Sequence, residues 1–349
     1  MTSHLAITAM AIGQGGWIGV DLFFTLSGFL ITGILLDTRG HPGYFRNFFA
    51  RRALRIFPLY YGVFLVLFLL TPVLHLRWRL GHLAYLLYAG NIAYCLDSTL
   101  ANLRPPVLFL HLWSLAVEEQ FYLIWPWVVL FVARRRNLAR LCLGLSVSAF
   151  LLRSLVLGAL PLGRAYEWCY AMLPTHMDGL LYGALAALWI RSRPLEAIHR
   201  SARRISLVAG AVMVLIYLLV GFDFYSRTMI LVGFPALAIL FASVLLQALV
   251  PGSWASRLGD LRVLRFFGKY SYGMYVFHIL FAPGLSVYQK VLQRVLHSTL
   301  IGGLAYDVAT LAGTCIVAVL SYQLYEKHWL RLKRRFEYRA DPAPATALR

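Results

Sequence analysis

Residues 19–36 read GVDLFFTLSGFLITGILL. The single charge, Asp21, stands at the start of the run. The remainder is apolar for a length that, at about 1.5 Å per helical residue, approaches the roughly 30 Å of a bilayer core. Similar runs recur at 55–74, 111–133, 138–160, 172–190, 205–221, 228–250, 269–289 and 302–325. Hydrocarbon offers a backbone no water to bond, so segments of this kind are helices.

Composition agrees. The chain has 349 residues, 60% hydrophobic and 13% charged, with a mean hydropathy of +0.70. Soluble domains carry about 25% charge. One core could not hide so much apolar surface, which excludes a water-soluble enzyme, a disordered chain and a disulfide-rich module. The expected fold class is all-α, a polytopic transmembrane helix bundle. Cys95, Cys142, Cys169 and Cys315 show no metal-ligand spacing and read as free thiols.

The formal charge is +19, and its distribution explains it. Segments 38–55, 134–140, 191–204, 251–269 and 326–349 hold 25 Lys and Arg, whereas 73–110, 161–171, 222–227 and 290–301 hold 7. Basic residues collect in cytoplasmic loops, so the first set and the C-terminus are expected in the cytoplasm. No nucleic-acid partner is implied. The alternation holds only if 83–97 does not cross. Residues 1–12 are apolar but too short to cross, and read as the end of a helix whose beginning is missing. No basic n-region or cleavage site suggests a signal peptide. The expectation is about ten helices with the first truncated, a membrane domain over 1–335, and a disordered cytoplasmic tail at 336–349.

Ionisable groups inside such spans cost about 2.5–3.5 kcal/mol at a helix centre and point to function. Here they are Asp21, Glu118, Glu119, Arg153, His176, Asp178, His278, Asp307 and Glu326, with His4 in the partial first helix. In HLWSLAVEEQFYLIWP (111–126), His111, Ser114, Glu118 and Tyr122 share one helical face, and Glu119 points elsewhere. The bland alternative is a hydrogen-bonded packing network. Asp21 reads equally as a cap at its helix start. Arg153 is the natural partner for a buried carboxylate. In FFARRALRIFPLYY (48–61), Arg51, Arg52 and Arg55 read either as headgroup anchors or as a phosphate clamp.

GVDLFFTLSGFLITGIL, RRALRIFPLYY, HLWSLAVEEQFYLIWP, MDGLLYGALAA, SYGMYVFH and SYQLYEKHW succeed one another in this order. With them the chain resembles the acyltransferase 3 family of integral-membrane O-acyltransferases, from about residue 4 to 332. The resemblance implies transfer of an acyl group, usually acetyl, from cytoplasmic acyl-CoA to a hydroxyl. The acceptor would be a carbohydrate or lipid-linked glycan, and the location the bacterial inner (plasma) membrane. By position, the family's essential histidine falls on His4, its arginine motif on Arg51, Arg52 and Arg55, its W-S-L-x-x-E glutamate on Glu118, and its late S-Y…H motif on Ser271, Tyr272 and His278. Three departures stand out. The chain opens only three residues before His4, His176 stands where Arg is usual, and His328 stands where Pro is usual.

Acyl transfer needs a base, charge stabilisation and two positioned substrates. The expected catalytic set is His4, as base toward the acceptor hydroxyl or as first carrier of the acyl group, Glu118 or Asp21 orienting it, and Arg153 pairing a carboxylate or stabilising the oxyanion. Arg51, Arg52 and Arg55 hold CoA phosphates. His111, Ser114, Tyr122, Asp178 and His278 line the substrate path. No bound cofactor or metal is expected; the partners are acyl-CoA, the acceptor and membrane lipids. A transporter or flippase is the alternative class, since buried His and Glu also relay protons, although no inverted repeat is visible. An inactive, truncated acyltransferase is the other.

Overall fold

The opening apolar run forms helix α1, Ile18–Asp37. Asp21 lies in its first turn, where a negative charge meets the positive end of the helix dipole. The computed structural model describes residues 18–76, 78, 81–96, 107–221, 225–280 and 282–338. His4 and the first expected helix lie outside them. Helix is the regular structure of the described residues, with no strand among them.

The principal helices are α1, α2 (Tyr44–Leu69), α3 (Trp113–Phe131), α4 (Arg135–Ala159), α5 (Asp178–Ile190), α6 (Leu195–Val220), α7 (Phe234–Ala248), α8 (Arg262–Phe277), α9 (Ala282–Val295) and α10 (Thr299–Ser321). Helix α7 continues from a π-turn at Met229–Gly233. Helix α10 continues through Tyr322–Glu326 and Lys327–Arg331 into Leu332–Phe336. Six segments among the described residues are long and apolar enough to cross a membrane: Ile18–Asp37, Tyr44–Leu69, Arg135–Ala159, Leu195–Val220, Met229–Ala248 and Thr299–Phe336.

The stretch around 83–97 forms two short helices, Gly81–Leu86 and Gly90–Leu96, neither long enough to cross. One expectation is corrected. The span anticipated at 269–289 is two helices, α8 and α9, parted by a turn at His278–Leu280. Pro283, which lacks an N–H, is the second residue of α9.

The core is set by the closest crossing in the bundle. Gly179 and Gly183 form a G-x-x-x-G pair on α5 facing α1. A Cβ at Gly179 would come within 2.8 Å of the Phe24 Cβ, and one at Gly183 would strike the Thr25 carbonyl. From the other side, a Cβ at Gly28 would strike the Leu180 carbonyl. Small residues let two backbones touch where lipid supplies no hydrophobic drive. Helices α3 and α7 close over this pair.

Tyrosine hydroxyls bond carbonyls beside the prolines that lie within helices. Pro58 lies inside α2, and the hydroxyls of Tyr272 and Tyr325 donate to the carbonyls of Ile56 (2.7 Å) and Pro58 (3.2 Å). Pro126 lies inside α3, and its carbonyl accepts from Tyr44 (2.9 Å).

Basic connections gather at one end. Arg39 caps the last turn of α3, donating to the carbonyls of Val129, Leu130, Val132 and Ala133. Arg191 grips Asp37 with two nitrogens, at 2.9 and 2.6 Å, and Arg135 donates to the Arg191 carbonyl at 3.1 Å. Residues 336–338 also pack here: Arg51 and Asn47 donate to the carbonyls of Phe336 (3.5 Å) and Glu337 (3.4 Å), and Tyr338 donates to that of Tyr44 (3.3 Å).

Candidate active site

The polar stripe expected on 111–122 exists, and its members reach residues of α1, α2 and α8. Nearest the basic end, Tyr122 and Ser27 of α1 share a short hydrogen bond of 2.5 Å between their hydroxyls. The Arg52 guanidinium covers the Tyr122 ring, 4.6 Å from its centroid. Glu118 lies one turn back, buried, interacting with Ser27 and Tyr122 and sensing the charge of Arg52. Its Oε1 has no hydrogen-bond partner among the described residues. Glu119 points elsewhere, as its register requires, yet it too senses Arg52. Arg52 sits eight residues into α2 and Tyr122 nine residues from the end of α3. At 1.5 Å per residue both lie about 12–14 Å in from the basic end.

Farther along, Ser114 bonds the Tyr275 hydroxyl at 2.6 Å, and that hydroxyl donates to the His111 carbonyl. The His111 ring contacts the Val276 carbonyl through Nε2 at 3.3 Å. It lies edge-on to the His278 ring, centroids 4.9 Å apart. The α-helix starts only at Trp113, so His111 projects from a 3₁₀ turn, Val107–Leu112. His278 is just past the end of α8, and its Nδ1 is 2.6 Å from the Tyr275 carbonyl.

Together these contacts make a polar ladder through an otherwise apolar bundle. It runs from Arg52 through Tyr122, Ser27 and Glu118 to Ser114 and Tyr275, ending at His111 and His278.

Two ion pairs flank the ladder, both from the turn that leads into α5. His176 is fully buried, with its ring stacked on Phe234 at 4.6 Å. Its Nδ1 lies 2.6 Å from the Tyr170 carbonyl, which only accepts, so Nδ1 carries a proton. Its Nε2 meets Asp21 Oδ1 at 3.0 Å. One proton therefore bridges Asp21 and His176. Asp21 Oδ2 has no partner among the described residues. Two residues on, Asp178 pairs with Arg153, whose Nη1 also donates to the Thr175 carbonyl at 2.7 Å. Both side chains are fully buried. Asp21 and Arg153 thus each hold a partner from residues 175–178, and neither touches Glu118.

The cationic end is richer than the arginine motif alone. Lys333, in the Leu332–Phe336 turn, lies within electrostatic reach of Arg51, Arg52 and Arg55. Glu326 interacts with Arg55 and accepts from Ser321 at 2.9 Å. A separate apolar cleft of about 570 Å³ lies among α4, α5, α6 and α7, with Arg135 and Arg136 on its wall. It contains none of the ladder.

This arrangement joins a cluster of phosphate-suited cations to a buried carboxylate, hydroxyls and imidazoles. A family model, Acyl_transf_3, describing an acyltransferase domain, matches residues 4–323. The chain belongs to the acyltransferase 3 family. It is 29% identical to the peptidoglycan O-acetyltransferase OatA of Listeria monocytogenes, over 90% of this chain and 51% of that protein. It is 30% identical to the putative peptidoglycan O-acetyltransferase YrhL of Bacillus subtilis, over 90% and 50%. A putative O-acetyltransferase of Staphylococcus aureus strain COL is 27% identical over 76% and 46%. The chain spans about half the length of these curated relatives. No solved structure matches it.

Two members of this candidate site carry little sequence signal. Tyr275 stands three residues before His278, on the same helical face, and that spacing is its one clue. Lys333 is hidden in the basic run 333–335, which reads as topological charge until the fold brings it to α2.

Proposed function

We propose that this chain is a membrane O-acetyltransferase that takes an acetyl group from acyl-CoA and passes it to a carbohydrate hydroxyl. The observation that carries the reading is the ladder. It ties a cluster of cations at one end to buried Glu118, and onward to paired imidazoles at the other. Charge asymmetry between the loops supports the basic end, and the C-terminus with it, as cytoplasmic in the plasma membrane. Acyl-CoA is made in that compartment, and guanidinium forks suit its phosphates. The names of the relatives support peptidoglycan as the acceptor.

In this reading His4 is the base. It takes the acceptor's hydroxyl proton as the oxygen attacks the thioester carbonyl. The carbon–sulfur bond then breaks, and the imidazolium returns the proton to the departing thiolate. Glu118 or Asp21 orients the imidazole. Arg51, Arg52, Arg55 and Lys333 hold the donor. Ser114, Tyr122, His111 and His278 line the way to the acceptor. Arg153 and Asp178 position the turn that presents His176 to Asp21.

The test is transfer of labelled acetyl from acetyl-CoA to a muropeptide by the purified protein in nanodiscs. Labelled muropeptide seen by mass spectrometry is the expected result. Intact acetyl-CoA and unlabelled acceptor, with protein that remains folded, overturn the reading.

A further inference from the structure

A polar cavity of about 430 Å³ opens at the basic end, between the residues entering α2 and the segment that begins with the Leu332–Phe336 turn. Its walls carry His41, Arg46, Asn47, Arg334, Arg335 and Glu337. Three guanidiniums against one carboxylate make it a site for an anion. Its volume falls in the range of small-molecule sites. The two walls are distant in sequence but tied together, Asn47 to the Glu337 carbonyl and Arg51 to the Phe336 carbonyl. His41 Nδ1 accepts from the Gly43 N–H at 3.0 Å, and its ring meets that of Tyr338 edge-on at 5.2 Å. The cavity therefore has an imidazole on its wall as well as charge.

The cavity is also placed in line. Arg46 and Asn47 on its wall are succeeded along α2 by Arg51, Arg52 and Arg55, with Lys333 facing them. From Arg46 to Arg55 is about 13 Å of helix. Beyond Arg52 stand Tyr122 and Glu118. A lipid headgroup needs no polar cavity of this volume beside a separate row of cations. A nucleotide carrying a phosphate monoester at one end and a diphosphate at the other would use both the cavity and the row.

We propose that this cavity seats the 3′-phosphoadenosine end of a CoA donor, with Arg334, Arg335 and Arg46 on the phosphate monoester. The diphosphate then lies along Arg51, Arg52 and Lys333, and the pantetheine arm is directed toward Glu118. This assignment rests on the donor reading above, and its test is separable from that reading because it measures binding.

The probe is adenosine 3′,5′-bisphosphate, titrated calorimetrically against the full chain in nanodiscs of neutral lipid, with 5′-AMP as comparison. The bisphosphate is expected to bind at least about tenfold more tightly than AMP, since charge-assisted hydrogen bonds to the extra phosphate are at stake. In Arg334→Gln/Arg335→Gln that preference should vanish, the two ligands then binding alike; Arg334→Lys/Arg335→Lys should keep part of it. Size-exclusion profiles check that the variants stay folded. An unchanged preference in the Gln variant overturns the assignment. So does displacement of the probe by anionic lipid, which would make the cavity a headgroup site. If the probe binds as expected but acetyl-CoA donates no acetyl group, the subsite stands and the transferase reading fails.

Discussion

Arg52 lies over the ring of Tyr122, its guanidinium carbon 4.6 Å from the centroid. The contact joins two motifs separated by most of the first third of the chain. It also fixes the charge of Arg52 where both Glu118 and Glu119 sense it. Arginine suits this place because its flat guanidinium can stack on a ring while its edge still presents donors. A lysine would keep the charge but lose the plane.

Arg52→Lys should therefore raise the apparent KM for acetyl-CoA. A partly desolvated cation–π contact is worth about 0.5–2 kcal/mol, so a rise of a few-fold up to about thirtyfold is expected. Arg52→Gln should raise it further. Initial rates against acetyl-CoA concentration give the answer. An unchanged KM in both variants would assign Arg52 to lipid headgroups.

The crossing of α1 and α5 predicts a contrast among glycines. Gly183→Ala would press a methyl against the Thr25 carbonyl. Overpacking of this sort costs about 1–3 kcal/mol, more where backbone must move. Gly144→Ala, on α4, meets nothing within 4 Å and gains helix propensity of about 1 kcal/mol at most. The first should lower the melting temperature monitored by tryptophan fluorescence in detergent, and the second should hold or raise it. Equal melting of both variants would mean the α1–α5 contact is looser than described.

How much of the fold and site is legible in the sequence depends on the range of each interaction. The stripe can be read because helical periodicity is local: Ser114, Glu118 and Tyr122 share one face of α3 whatever packs against them, and His111 joins them from the preceding 3₁₀ turn. A carboxylate partner for Arg153 is expected in kind, but its choice of Asp178 depends on how α4 meets the turn before α5. His176 sits 155 positions from Asp21, and no local pattern links them. The break after Phe277 escapes a hydropathy reading because the apolar run continues through it and only Pro283 hints at a stop. Lys333 escapes for the opposite reason, since its basic neighbours make it look like ordinary loop charge.

The Arg153–Asp178 pair should behave as buried ion pairs do. Removing one partner strands a charge away from water and costs about 3–5 kcal/mol, whereas replacing both with apolar residues is often neutral. Arg153→Leu alone should yield little folded protein, and Asp178→Leu the same. Arg153→Leu/Asp178→Leu should recover much of the yield, measured as the monodisperse fraction after extraction. A double variant as poor as either single would place the pair's value in its other bonds, such as that to the Thr175 carbonyl.

Asp21 and His176 can be separated by chemistry rather than by deletion. The Tyr170 carbonyl requires a proton on Nδ1, so a neutral ring offers Nε2 as an acceptor. Asp21→Asn supplies an amide donor to that nitrogen and preserves the hydrogen bond without charge. His176→Phe keeps the ring against Phe234 but leaves Asp21 buried and unpaired. Asp21→Asn should therefore melt close to the wild type, while His176→Phe should be strongly destabilised, by the same reasoning as for the other pair. If Asp21 serves as a positioning residue, its free Oδ2 toward the catalytic base, Asp21→Asn should also lose about tenfold or more in kcat while KM for acetyl-CoA holds, because an amide cannot stabilise an imidazolium as a carboxylate does. A stable Asp21→Asn enzyme with unaltered kcat would confine Asp21 to holding α1 against the turn before α5, and leave Glu118 to orient the base.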